Sequence, residues 1–133
     1  MQTTLKQTKV LTRVGLVITV LVTLFLLFDG VIHILKPAAV VDSFAELGFP
    51  IGTSVGIGVL ELICLALYVY PRTSVLGAIL LTGYLGGAVA AQLRVEAPVV
   101  STLLFPIYTA VFVWAGLYLR DDKLRRLVPL RAE

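Results

Sequence analysis

The sequence predicts an all-α integral membrane protein: a four-helix bundle with both termini on the cytoplasmic side and a short amphipathic helix in the first outer loop. Three observations predict it. Mean hydropathy is +1.00, and the 133 residues are 59% hydrophobic and 14% charged, against about 45–50% apolar and about 25% charged in soluble domains. Four apolar runs reach the roughly 20 residues a helix needs to cross the hydrocarbon layer. Each gap between those runs carries helix-stopping residues. A chain of this length makes one domain.

The first transmembrane helix is expected over residues 14–35. Its apolar stretch outruns the roughly 7–15 residues of a signal-peptide core and no small-x-small cleavage site follows, so it reads as a retained helix. Lys36-Pro37 stops it. In the loop that follows, residues 38–47 place Val40, Val41, Phe44 and Leu47 at helical spacing, with Asp42, Ser43 and Glu46 opposite. Gly48 is positioned to end that turn. Helix two is expected over 51–70 and stops at Pro71-Arg72, helix three over 74–93, and helix four over 99–119 after Glu96-Ala97-Pro98. The spacing Gly83-x-x-x-Gly87 marks helix three as the central packing helix, and Gly52-x-x-x-Gly56 repeats the theme in helix two. Pro106 lies inside helix four and should kink it. Residues 120–133 form a cytoplasmic tail with Leu124, Leu127 and Val128 set against a basic face.

Orientation follows from the basic residues, which are retained on the cytoplasmic side of short loops. Of the eleven, only Lys36 and Arg94 fall on the outer side. The N-terminal segment (Lys6, Lys9, Arg13), the second loop (Arg72) and the tail (Arg120, Lys123, Arg125, Arg126, Arg131) hold the rest. A net charge of +3 concentrated at the two ends suits anionic lipid headgroups and not nucleic acid. With a single cysteine, Cys64, an intramolecular disulfide and thiol relay chemistry within one chain are excluded. Cys64 reads as a small buried hydrophobe.

In so apolar a chain the ionisable residues at membrane depth carry the information, since a charge at a helix centre costs about 2.5–3.5 kcal/mol. Glu61 falls close to the middle of helix two. Asp29 lies about 9 Å inside the outer end of helix one at a rise of about 1.5 Å per residue, and His33, four residues on, shares its face. Gln92 and Arg94 sit at the outer end of helix three. Facing inward, these five would line a polar pocket opening away from the cytoplasm. Tyr84 and Tyr108 lie deep enough to need hydroxyl partners and could add to it, whereas Tyr68, Tyr70, Trp114 and Tyr118 include interface anchors. Each residue also has a plain structural reading: Glu61 as a hydrogen-bonded link between helices, Asp29–His33 as a local pair, Arg94 as a snorkelling interface residue. One histidine and scattered acids show no metal-ligand spacing, so no metal is expected. There is no phosphate-cradling glycine loop and no serine beside a base.

The order of features resembles the DoxX-like family of small four-helix membrane proteins. Phe28-Asp29-Gly30, Lys36-Pro37, the stretch from Val40 to Pro50 ending in Leu47-Gly48-Phe49-Pro50, Gly58-Val59-Leu60-Glu61-Leu62, Tyr70-Pro71-Arg72-Thr73, Gly77-Ala78 and Gln92-Leu93-Arg94 carry the resemblance. It covers about residues 14 to 119. The chain departs from the family where relatives often have histidine before the Leu-Arg pair; here the residue is Gln92. The resemblance implies a compact bundle in a bacterial cytoplasmic membrane, in a family linked to thiosulfate oxidation coupled to quinone and to membrane-associated oxidative-stress complexes.

Three functions are expected in order of preference. The first is a quinone- or small-molecule-binding accessory subunit of a membrane redox or stress-response assembly, with Glu61, Asp29, His33, Gln92, Arg94, Tyr84 and Tyr108 as candidate ligand-binding residues. Such a chain has no intrinsic cofactor and is not an enzyme on its own; it would bind quinone and work with membrane or soluble redox partner proteins. The second is a non-catalytic assembly or scaffold factor. The third is a small proton-coupled transporter.

Overall fold

The computed structural model describes residues 1–128. The chain is all-helical: α1 (Gln2–Leu35), α2 (Ala38–Leu47), α3 (Thr53–Val69), α4 (Ser74–Arg94), a π-helical turn (Val99–Leu103), α5 (Phe105–Arg120) and α6 (Asp122–Leu127). Three stretches are long and apolar enough to cross a membrane: Gln2–Leu35, Ser74–Arg94 and Val99–Arg120. Thr53–Val69 is a shorter apolar helix. Outward faces carry Leu21, Phe28, Ile63, Ile79 and Val111, all more than half exposed, as side chains in contact with lipid would be.

The expected boundaries hold for α2 and, to within a few residues, for α3 and α4. Helix one differs, since it begins at Gln2 and not at Val14. Residues 2–13 contain no glycine or proline, and nothing interrupts hydrogen bonding before Lys36. That residue takes a left-handed conformation (φ 52°) and donates its N–H to the Ile32 carbonyl at 2.8 Å. Pro37 then begins the next turn, accepting from the amides of Val40 and Val41. α2 closes at Gly48 (φ 72°), where the Phe49 N–H returns to the Phe44 carbonyl at 2.9 Å. A glycine is favoured there because a side chain is strained in that conformation.

Helix four also differs from its expected form. Pro106 does not kink a continuous helix; it occupies the first turn of α5, where a missing N–H leaves no bond unmade. The preceding turn widens, with Leu103 N–H and Leu104 N–H reaching back five residues to the carbonyls of Pro98 and Val99. At the other end Asp121 caps α6, its Oδ1 accepting from the amides of Lys123 and Leu124 at 2.9 and 3.0 Å. Leu124 enters the core, but Leu127 (80% exposed) and Val128 do not, so the expected apolar stripe of the tail is a single anchor. Residues 129–133 of that tail, Arg131 among them, lie outside the described residues.

α1, α3, α4 and α5 form a ring in which sequential helices are neighbours and α5 closes against α1. The expectation that Gly83 and Gly87 make α4 the central packing helix is corrected. A Cβ built on Gly83, Gly86, Gly87, Gly52 or Gly56 meets nothing within 4 Å. Close approaches are made by Gly77 near the start of α4, where a Cβ would run into the Tyr68 backbone of α3, and by α1. Helix α1 crosses α5 at Gly15, where a Cβ would lie 2.9 Å from the Gly116 carbonyl, and α3 at Gly58, where one would lie 2.6 Å from the Gly30 carbonyl. Small residues at these crossings let the backbones touch.

The core, built on Val22, Leu26, Cys64, Leu65, Tyr68, Ala78, Leu81, Val113, Leu117 and Leu124, fills the half of the ring nearer the chain termini. Tyr68 is not an interface anchor: it is fully buried and donates its hydroxyl to the Val113 carbonyl at 2.8 Å. The other half, toward α2, is hollow.

Candidate functional site

The hollow half is a cavity of about 530 Å3, within the roughly 300–1,000 Å3 of small-molecule sites. Every helix of the ring contributes a wall by helical periodicity. α1 supplies Phe25, Asp29 and His33, one turn apart on one face; α3 supplies Ile57, Leu60 and Glu61. α5 adds Phe105, Pro106 and Thr109. α4 supplies Tyr84 and Gln92 among Gly83, Gly87, Ala88 and Ala91. The small residues of α4 thus leave room for the cavity itself, which is why no backbone fills the space above Gly83 and Gly87.

α2 roofs the cavity with Ser43, Phe44 and Leu47, and Phe49 adjoins them. Phe44 is buried and meets the His33 ring edge-on, with centroids 5.8 Å apart. Arg94 is absent from the lining; its Nη2 donates to the Leu47 carbonyl at 2.7 Å and its guanidinium lies 5.7 Å from the Phe49 ring centre. It fastens the roof to the end of α4. Ser54 ties the start of α3 to α1 by donating to the His33 carbonyl at 2.6 Å.

The polar groups converge at the boundary between core and cavity. Glu61 sits on the buried stripe Ser54, Gly58, Glu61, Leu65, Tyr68 of α3 and is fully buried. Its Oε2 accepts from the Tyr84 hydroxyl at 3.0 Å, while its Oε1 has no partner among the described residues. Across from it, His33 Nδ1 lies 2.7 Å from the Asp29 carbonyl oxygen and 3.6 Å from Asp29 Oδ2. A carbonyl can only accept, so Nδ1 carries hydrogen, and the lone pair of the neutral ring is on Nε2. One ligand atom from each of Asp29, His33 and Glu61 lies within 4.8 Å of the other two. No lysine or arginine lines this cavity among the described residues, so two carboxyl groups share the site without a fixed cation.

Of the seven residues singled out in the sequence, the structure brings Asp29, His33, Glu61, Tyr84 and Gln92 to this cavity and leaves two elsewhere. Arg94 holds the roof. Tyr108 lines a second hollow of about 280 Å3 beside α1 and α5 and donates to the Val100 carbonyl at 3.3 Å. Phe25, Phe105 and Thr109 border both hollows, and the two rings stand edge to face at 5.4 Å. Sequence reasoning missed the aromatic lining of Phe25, Phe44, Phe49 and Phe105. The helical spacing of Phe44 was visible, but nothing in the sequence turns it toward His33.

No curated protein and no solved structure matches this chain. Residues 17–116, a stretch that contains every lining residue of the cavity, match the family model described as the DoxX-like family; the chain belongs to the DoxX-like family.

Proposed function

We propose that this DoxX-like protein is an accessory membrane subunit that holds a quinone-class molecule in the cavity, serving a redox or stress-response assembly. The observation that carries this reading is the pairing of an aromatic-walled cavity with the unpartnered Glu61 Oε1 at its floor. A ring with two oxygens matches both features. Phe25, Phe44 and Phe105 offer faces and edges to a flat ring. In the reduced, hydroxyl form a donor would reach Glu61 or Asp29; in the oxidised form a carbonyl would accept from the Gln92 amide. Discrimination of this kind rests on a few placed polar groups in an otherwise apolar pocket. Electrons would pass to or from a partner protein.

The accompanying topology has α1, α3, α4 and α5 crossing a bacterial cytoplasmic membrane. Lys6, Lys9, Arg13, Arg72 and the basic residues of α6 would lie on the cytoplasmic side, and the cavity roof on the opposite face. The test is mass spectrometry of organic extracts from protein purified out of its own membrane, beside Glu61→Gln. A quinone present in the native chain and depleted in the variant is the expected result. Native protein free of quinone, with partner proteins still attached, would overturn the reading in favour of a scaffold.

A further inference from the structure

We propose that Asp29, His33 and Glu61 bind one divalent first-row transition-metal ion, with Zn2+ as its representative, in the cavity wall where α1 meets α3. The donors are one imidazole and two carboxylates, and their ligand atoms lie within 4.8 Å of one another. An ion with tetrahedral bonds of about 2.0–2.2 Å sets its ligands about 3.3 Å apart. The required closure is at most about 1.5 Å. The α1–α3 crossing at Gly30 and Gly58 is already in backbone contact, which fixes the distance between the helices that carry the ligands.

A second observation is independent of this clustering. Glu61 is fully buried and, among the described residues, its Oε1 has no donor; a buried acceptor without a donor is a costly arrangement that native structures rarely keep. A cation at that oxygen removes the deficit. The neighbouring hydrogen bonds have the form found around metal ligands, whose second atoms are held by outer partners. Tyr84 holds Oε2 and leaves Oε1 free, and the Asp29 carbonyl holds Nδ1 of His33. A mixed nitrogen and oxygen set suits zinc, iron or manganese, whereas calcium takes six to eight oxygens and magnesium keeps several waters. Three protein ligands leave a coordination position facing the cavity, open to water or to an oxygen of a bound molecule.

This proposal does not rest on a quinone occupying the cavity. The experiment uses the full chain in detergent micelles, stripped with chelator and titrated with ZnCl2 by calorimetry. Metal content after desalting and zinc X-ray absorption are measured in parallel. The variants are Asp29→Asn, His33→Gln and Glu61→Gln, with Tyr108→Phe as the control and a thermal melt of each. Saturable binding of a single ion per chain is expected, with nitrogen and oxygen ligands only. Affinity should fall on the order of tenfold or more in each ligand variant and stay unchanged in the control. No saturable binding to the native chain, or three ligand variants that bind as it does, would overturn the proposal. Should Glu61→Gln fail to fold, the partly exposed Asp29 and His33 decide the outcome. Quinone retained by stripped protein that takes up no zinc overturns the metal site alone; zinc bound by protein free of quinone overturns the ligand reading alone.

Discussion

Replacing glycine by alanine at two positions of the ring should move stability in opposite directions. A Cβ on Gly58 would lie 2.6 Å from the Gly30 carbonyl oxygen, 2.9 Å from Cβ of His33 and 3.1 Å from Cγ1 of Ile34. The first two atoms are backbone or fixed directly to it and cannot rotate away, so α1 and α3 must part. Overpacking of that kind costs about 1–3 kcal/mol. At Gly87 the same methyl group meets nothing within 4 Å, and alanine gains up to about 1 kcal/mol of intrinsic helix preference. The helix preference is gained at both positions, so the two variants should differ by the overpacking cost, about 1–3 kcal/mol. Equilibrium unfolding in mixed micelles, followed by helical circular dichroism, reads the difference. Equal shifts, or a larger loss at Gly87 than at Gly58, would refute the assignment of Gly58 to a helix crossing and Gly87 to a cavity wall.

Tyr68→Phe removes a buried hydrogen bond to the Val113 carbonyl and should cost about 0.5–1.5 kcal/mol in the same unfolding measurement. Arg94→Ala should release the roof: hydrogen exchange at the amides of residues 40–49 should accelerate while the core of α4 stays protected, and unchanged protection of α2 would contradict the fastening role. Asp121→Ala deletes the cap of α6 and should cost about 1 kcal/mol, seen as faster exchange at the Lys123 and Leu124 amides, the two that Asp121 accepts from.

Local signals were legible in the sequence wherever the chemistry is local. Residues 38–47 read as a helix because an apolar stripe lies within that segment and a glycine follows it, and α2 has those bounds. The shared face of Asp29 and His33 follows from a four-residue step. What the sequence did not reveal depends on how one helix is rotated against the next. Spacing rules look along one segment, so they do not register that Glu61 of α3 meets Asp29 and His33 of α1. The glycines misled for a related reason. A small residue permits either contact or empty space, and only the neighbour decides which. Gly15 and Gly116 drew no notice yet bring α1 against α5, whereas the conspicuous Gly83 and Gly87 border a void. Tyr84 and Tyr108 looked equivalent by depth, yet only one faces Glu61.

The unequal lengths of α1 and α3 bear on the lipid around the protein. At about 1.5 Å per residue the 34 residues of α1 reach about 51 Å, and the 17 of α3 about 26 Å. In the proposed topology α1 passes beyond a hydrocarbon layer of about 30 Å with turns to spare, while α3 falls short of it. Lipid beside α3 must thin to meet the helix ends, and lipid beside α1 need not. Hydrophobic mismatch of this one-sided kind draws shorter-chained lipids to one flank of the molecule. It also favours a neighbour with an equally short helix on that flank, so bilayer thickness becomes a determinant of which proteins collect beside α3.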